Sequence, residues 1–117
     1  MSVLMILSTM NKGVHAKMND LTSKQRAFLM SIASKEKAVI QIGKDALSPS
    51  VTNAVDEALA AREIVKIGVQ KTCPGDLREI AAMLGERTHS VVVQVIGRKI
   101  VLYRQHKNPE KRIRIPM

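Results

Sequence analysis

The sequence predicts an α+β domain of three helices and four strands in the order αβαβαββ. Three observations predict this class. Apolar residues recur at helical spacing after capping residues, short runs rich in β-branched residues separate those segments, and two apolar runs near the C-terminus flank a Gly-Arg turn. The chain has 117 residues, enough for one domain with a modest core.

The first helix is predicted to begin at Thr22. Thr22 and Gln25 have the spacing of a capping box, in which each side chain accepts a hydrogen bond from the backbone N–H of the other residue. The apolar residues that follow share one helical face, and the helix should end before Lys37. A short strand is expected over residues 38–42, which are rich in β-branched side chains.

The second helix has a well-marked start. Ser48 can cap it, and Pro49 occupies the first helical position, where the missing N–H of proline costs nothing. An apolar stripe from Val51 to Leu59 recurs every three or four residues and should face the core. The second strand, residues 64–69, follows almost without a loop.

The last three elements are a helix and a hairpin. The third helix is predicted to begin near Pro74 and to end at Gly85, which can adopt the left-handed conformation common at helix ends. The apolar runs 91–96 and 99–103 flank Gly97 and Arg98, the pattern of a tight antiparallel hairpin with glycine first.

The loop after the first strand is the leading candidate site. Its four residues precede a capped helix, where unpaired backbone N–H groups and the positive end of the helix dipole favour anions. The loop adds one cation and suits phosphate oxygens, although from the loop alone an ordinary strand-to-helix turn with a solvated lysine is the better interpretation. The predicted contacts in the loop are Gly43, Lys44, Asp45 and Ala46.

Composition favours a polyanionic partner. The chain has 19 Lys and Arg against 10 Asp and Glu, a formal net charge of +9. Nucleic acid is the leading candidate, and an anionic membrane is weaker because no segment combines a basic face with an apolar aromatic face. Phe28 and Tyr103 are the only aromatic rings, too few for a base-stacking platform, so RNA would be bound through phosphates, groove shape and hydrogen bonds.

Further basic residues extend the candidate RNA contacts. The last 20 residues contain seven basic side chains opposed only by Glu110. Such a run is usually a solvated tail, but beside a basic domain it becomes a reasonable phosphate-contacting arm. Outside the loop, the predicted RNA contacts are Lys24, Arg26, Arg98, Arg104 and Lys107.

The sequence contains no catalytic pattern. His15, His89 and His106 lack metal-ligand spacing, and the single cysteine, Cys73, is expected to be an incidental residue at a surface helix cap. The loop after the first strand is not a Walker loop, because Asp45 stands where Ser or Thr is required. No cofactor or metal is predicted.

The chain is expected to comprise a loosely ordered extension over residues 1–20, a domain over 21–104 and a basic tail over 105–117. The apolar run from Val3 to Leu7 is too short to cross a membrane. A cytoplasmic monomer without a membrane partner is expected.

Four segments together resemble the CRM domain, the chloroplast RNA splicing and ribosome maturation domain, and its single-domain bacterial YhbY-type members. They are LTSKQRAFL in the first helix, IQIGKDAL at the loop, DEALAAREIVKI across the second helix and strand, and VQVIGRKIVLYR at the hairpin. Their order and spacing match the family over residues 21 to 104.

The resemblance implies a two-layer α+β fold similar to the C-terminal domain of translation initiation factor three. It also implies binding to ribosomal RNA in precursors of the large ribosomal subunit. The family loop is Gly-x-x-Gly, analogous to the KH-domain loop that clamps a nucleic-acid backbone. Here Ala46 replaces the second glycine, and alanine reaches positive φ less easily. If the loop clamps a nucleic-acid backbone, Ala46→Gly should raise RNA affinity and cost about 0.4–1 kcal/mol of stability through unfolded-state entropy. If the loop is only a strand-to-helix connection, the same change should cost that stability and leave RNA affinity unchanged.

The sequence leaves three functions to be distinguished. The first is non-catalytic binding of structured ribosomal RNA during assembly of the large subunit. The second is a protein–protein adaptor in a ribosomal or translational complex, with the charge serving solubility and steering. An enzyme acting on RNA is disfavoured because no acid–base or metal pattern is present.

Overall fold

The computed structural model describes residues 21–116, so the extension predicted over residues 1–20 lies outside the described residues. The order αβαβαββ and the α+β class are confirmed. The elements are α1 (Ser23–Ala33), β1 (Ile40–Ile42), α2 (Pro49–Arg62), β2 (Ile64–Val69), α3 (Leu77–Thr88), β3 (Val91–Ile96), β4 (Lys99–Tyr103) and a 3-10 helix (Pro109–Lys111).

The predicted starts of the first two helices are confirmed. Thr22 and Gln25 form both hydrogen bonds of the capping box, at 3.1 Å each. The Ser48 hydroxyl accepts a 3.2 Å hydrogen bond from the backbone N–H of Val51. Helix α1 already ends at Ala33, where the Lys66 ammonium donates to the terminal carbonyl at 3.4 Å, a favourable position for a cation.

The four strands form one mixed sheet in the order β1-β2-β4-β3. β1 starts at Ile40, two residues later than predicted, and pairs parallel with β2, which pairs antiparallel with β4. The β3–β4 hairpin has the predicted two-residue turn, in which Gly97 has a φ of +58°. Glycine suits this first turn position because it has no Cβ to clash at positive φ.

Helices cover both faces of the sheet. Helices α2 and α3 pack on one face around Leu59, Ile67 and Leu84, each with no exposed area. Helix α1 packs on the opposite face with Leu29 against Val101. The two-layer arrangement that the resemblance implies therefore describes the α2–α3 side, and α1 adds a smaller third layer. Each fully buried aliphatic side chain contributes about 1.5–3 kcal/mol through burial, so both faces stabilise the sheet.

The prediction that Gly85 ends the third helix is wrong. Gly85 is helical and buried, and the left-handed residue is His89, with a φ of +54°. A Cβ at Gly85 would lie 3.1 Å from the Ser90 carbonyl oxygen and 3.2 Å from the Val92 side chain. Glycine is thus required for close approach of the helix to the start of β3, not for a change of direction.

The surroundings of Cys73 also differ from expectation. Cys73 is buried in the core that α2 and α3 cover, and α3 begins at Leu77 instead of near Pro74. The intervening Gly75 has a φ of +99°, which a right-handed helix cannot accommodate. The prediction of an exposed cysteine at a helix cap is therefore wrong.

Glu63 is a buried acidic residue between α2 and β2, with 2% of its surface exposed. Its φ of +65° is unusual for a residue with a Cβ and costs about 1–3 kcal/mol. The two carboxylate oxygens accept 2.6 Å hydrogen bonds from the backbone N–H groups of His106 and Ile113. The Glu63 carbonyl also accepts from the N–H of Arg104 at 2.9 Å.

The segment predicted as a basic tail packs against the domain through these bonds. Beyond Glu63, the Arg112 guanidinium donates to the His106 carbonyl at 2.6 Å, and Asn108 caps the 3-10 helix. Ile113 and Ile115 pack against the cluster that α1 covers. Residues 105–116 therefore follow a defined path along the α1 side of the sheet.

Glu63→Gln should lower the free energy of unfolding by about 1–3 kcal/mol, because the amide can accept from one backbone N–H but leaves the other buried donor unpaired. Urea denaturation measures the loss. Glu57→Gln, on the exposed side of α2, serves as the matched control and should change stability by less than about 0.5 kcal/mol. Equal stability of the two variants would show that the Glu63 bonds do not hold the segment.

Tyr103 lies beside this carboxylate, on the strand register paired with Ile64. Burial and then the negative charge of Glu63 raise the pKa of Tyr103 from 10.0 to about 12, while the Arg112 cation acts in the opposite direction. Because the folded-state pKa is the higher one, the protonated ring contributes stability that is complete below pH 10 and is lost as pH rises to about 12.

The absorbance of tyrosinate, followed as a function of pH, measures the pKa of Tyr103 directly, because Tyr103 is the only tyrosine of the chain. The native protein should titrate near pH 12 and the urea-unfolded protein near pH 10. Tyr103→Phe should remove this component of the alkaline loss of stability. A native titration near pH 10 would contradict the burial of the ring beside Glu63.

Candidate nucleic-acid interface

The loop that follows β1 is a closed turn. The N–H of Ala46 donates to the Gly43 carbonyl at 3.0 Å, and the N–H of Ser48 donates to the Ala46 carbonyl at 3.0 Å. Ala46 has a φ of +51°, so it occupies the left-handed region that glycine favours. The loop therefore takes the backbone conformation of a glycine-ended loop although its last residue is alanine.

The loop leads into the capped start of α2. Ser48 occupies the N-cap and Pro49 the first helical turn, so the positive end of the helix dipole lies directly after the loop. Lys44 and Asp45 are both exposed at the tip. The tip thus combines one cation with one anion, and the loop itself has no net charge from its side chains.

Two other turns meet the loop at the same end of the sheet. The N–H of Gln70, just after β2, donates to the Ile42 carbonyl at 2.8 Å. Arg98, in the hairpin turn, donates from its Nε to the Val69 carbonyl and from Nη2 to the Gln70 carbonyl, both at 2.8 Å. These bonds hold the hairpin, the turn after β2 and the start of the loop together.

We define the loop-end surface by the basic residues of these three turns, Lys44, Lys71, Arg98 and Lys99. Lys44, Lys71 and Lys99 are exposed, and Arg98 is half-buried. Lys71 was not among the contacts predicted from the sequence. It could have been found, because adjacent parallel strands joined through a helix bring their carboxyl ends together, and Lys71 lies two residues beyond β2 as Lys44 lies two residues beyond β1.

The remaining predicted contacts do not join this surface. Arg26 donates to the carbonyls of Val92 and Val93, at 3.0 and 2.6 Å, where the β3–β4 register shifts. Arg104 donates to the Asp56 carboxylate at 2.6 Å and to the Thr88 carbonyl at 2.8 Å. Both guanidinium groups are thus used to join elements of the domain.

Lys24 and Lys107 lie elsewhere. Lys24 is exposed on α1, on the far face of the sheet from α2 and α3, and Lys107 is exposed in the C-terminal segment next to His106. The predicted RNA contacts therefore fall into three groups: the loop-end surface, two structural arginines, and cations on the α1 side of the sheet.

Between residues 21 and 116, no three His, Cys, Asp or Glu side chains come close enough together to hold a metal ion. In that range there is also no helix of sufficient length and apolarity to cross a membrane.

The fold and the loop-end surface define a small basic α+β domain with a glycine-started loop before a helix. The chain belongs to the CRS1/YhbY (CRM) domain family, whose model matches residues 21–104. This confirms the resemblance found in the four sequence segments.

Named relatives cover most of the chain. It is 38% identical over 96 residues to the Bacillus subtilis protein "Probable RNA-binding protein YqeI", covering 82% of this chain and 99% of that protein. It is 29% identical over 99 residues to a Haemophilus influenzae "RNA-binding protein", with coverage of 85% and 98%. The solution structure of Staphylococcus aureus SAV1595, described as a candidate RNA-binding protein, matches with a TM-score of 0.70 and 38% identity over 82% of this chain and 99% of that one.

The conformation of Ala46 reverses the stability effect expected from the sequence. An alanine in the left-handed region costs about 1–2 kcal/mol, which glycine avoids, whereas glycine loses about 0.4–1 kcal/mol through unfolded-state entropy. Ala46→Gly should therefore raise the free energy of unfolding, by up to about 1.6 kcal/mol. Urea denaturation measures the change.

Ala82→Gly is the matched control for this substitution. Ala82 is exposed in the middle of α3, where glycine should cost about 0.8–1 kcal/mol. If both substitutions lower stability equally, Ala46 does not hold a left-handed conformation in solution.

Proposed function

We propose that this protein is a non-catalytic RNA-binding protein that binds ribosomal RNA in precursors of the large ribosomal subunit during their assembly. In this proposal it acts in the cytoplasm as a monomer and needs no cofactor. Support comes from membership of the CRS1/YhbY (CRM) family and from relatives that are named as RNA-binding proteins.

The observation that carries the proposal is the convergence of three turns at the loop-end surface. The loop after β1, in which Ala46 has a left-handed conformation, presents Lys44 before a capped helix. Hydrogen bonds from Arg98 hold the hairpin turn and the turn after β2 beside this loop. Cations grouped in this way can neutralise successive phosphates and release their counterions. The Nη1 of Arg98 has no hydrogen bond to any residue in the described range 21–116, which leaves it available for a phosphate.

The mode of recognition follows from composition. With only two aromatic rings in the chain, of which Tyr103 is buried and Phe28 half-buried, bases cannot be stacked on an exposed aromatic platform. We therefore propose that the protein binds RNA through its backbone and groove shape, with little dependence on sequence.

The identity of the RNA is tested by isolating the protein from cells with its bound RNA and sequencing that RNA. Enrichment of large-subunit ribosomal RNA and its precursor sequences is expected. Recovery of other RNA classes without this enrichment would refute the ribosomal target. Absence of RNA affinity even at low salt would instead favour the protein–protein adaptor.

Lys44→Ala should weaken binding to unrelated structured RNAs alike and lower the slope of log K against log salt by about one, the value for one lost phosphate contact. Fluorescence anisotropy at a series of salt concentrations measures both quantities. Lys44→Arg keeps the charge and should retain the slope. If Lys44→Ala leaves affinity and slope unchanged, Lys44 is a solvated side chain and the loop is not a phosphate contact.

A further inference from the structure

The positive charge of this protein is concentrated away from the loop. Residues 21–37 hold four basic and one acidic side chains, and residues 104–116 hold five and one, so these two segments carry +7 of the formal net charge of +9. Residues 38–103, which include the loop, hold eight basic and seven acidic side chains and carry +1. Within that range the loop-end surface has four basic residues and Asp45, and the remaining residues carry −2.

The two highly charged segments pack together. Phe28 and Ile32 of α1 and Ile113 and Ile115 of the C-terminal segment contact the same hydrophobic cluster on one face of the sheet. We define the α1–tail surface by the exposed basic residues of these segments, Lys24, Lys35, Lys37, Lys107, Lys111 and Arg114. The exposed acidic residues of the same segments are Glu36 and Glu110, so the exposed cations exceed the exposed anions by four.

The α1–tail surface is spatially separate from the loop-end surface. Glu63 immediately precedes β2 and holds the C-terminal segment, whereas Gln70 immediately follows β2 and adjoins the loop. The six residues of β2 span about 20 Å at the usual rise of a strand. The two surfaces therefore lie towards opposite ends of the central strands.

The path of the C-terminal segment is fixed before any ligand binds. The Glu63 carboxylate accepts hydrogen bonds from the N–H groups of His106 and Ile113. Loss of both bonds would strongly destabilise the folded protein, because the buried carboxylate would be left unpaired. Lys107 and Lys111 lie between these two anchors. Because this stretch is already ordered in the folded protein, a polyanion can bind its cations without a further loss of backbone conformational entropy.

From these observations we propose that the α1–tail surface binds a second segment of RNA phosphate backbone, distinct from the segment at the loop-end surface. This inference rests on the proposed RNA-binding function. It predicts that the α1–tail surface contributes at least as much to the salt dependence of RNA binding as the loop-end surface does, because it has six exposed cations against four basic residues.

The test uses a fluorescently labelled RNA hairpin of about 20 base pairs, a length at which several phosphate contacts can form. The tail variant is Lys107→Gln, Lys111→Gln and Arg114→Gln in one chain. Its matched control, Lys107→Arg, Lys111→Arg and Arg114→Lys, keeps all three charges. The loop variant is Lys44→Gln with Lys71→Gln. All five side chains are exposed, and equal melting temperatures verify that each variant is folded.

The tail variant should lower the salt slope of log K by about 2–3, and the loop variant by about 2, at roughly 0.9 per phosphate contact, while the charge-preserving control keeps the wild-type slope. An unchanged slope in the tail variant, with a reduced slope in the loop variant, would overturn this inference and leave the proposed function standing. Salt-independent or undetectable binding by the wild-type protein would overturn the proposed function itself.

A second measurement identifies the source of the two backbone segments. Donor- and acceptor-labelled hairpins are mixed with wild-type protein at a molar excess of RNA. Energy transfer between the two hairpins with wild-type protein, and its loss with both the tail and the loop variant, would show that one protein joins two RNA molecules. Sedimentation must then find one protein in the complex. A reduced slope without energy transfer shows that both segments belong to one RNA molecule. Each result supports the proposed second surface.

Discussion

The hydrogen bonds of the buried Glu63 carboxylate are the interaction on which the arrangement of this molecule depends. A carboxylate removed from water must be satisfied within the protein, and here two backbone N–H groups of the C-terminal segment satisfy it. The backbone carbonyl of Glu63 also accepts a hydrogen bond from the N–H of Arg104. Glu63 therefore joins the start of β2 to the end of β4 and to the C-terminal segment. One side chain thereby converts a charged C-terminal segment into part of the folded domain.

This constraint determines how charge is distributed over the fold. The C-terminal segment is held on the sheet face that α1 covers, so the two most basic parts of the chain lie side by side. The opposite face, under α2 and α3, is close to neutral, because those helices contain equal or greater numbers of acidic residues. The loop-end surface has fewer excess cations but more rigid geometry, since Arg98 joins the hairpin to the turn after β2. The fold thus places two positively charged surfaces in a fixed relation to each other.

Interactions between near neighbours were predictable from the sequence, and those between distant residues were not. The caps at Thr22 and Ser48 and the hairpin turn depend on groups within a few residues, and the structure has all of them. Gly85 was misassigned because glycine serves both helix ends and close packing, and only the contact with β3 distinguishes the two. The loop residues were found from local pattern, but the partners of Glu63 and Arg98 lie 50 and 29 residues away. No local pattern distinguishes such residues from solvated charges.

Glu63 fixes the C-terminal segment to the domain through the backbone N–H groups of His106 and Ile113. Amide hydrogen exchange of the wild-type protein, followed residue by residue by NMR, measures the protection of these two groups. If the carboxylate holds both N–H groups, these amides should exchange far more slowly than an unstructured chain does, with protection approaching that of the strand amides. Exchange of both amides at the rate of an unstructured chain, while β2 and β4 stay protected, would contradict the account.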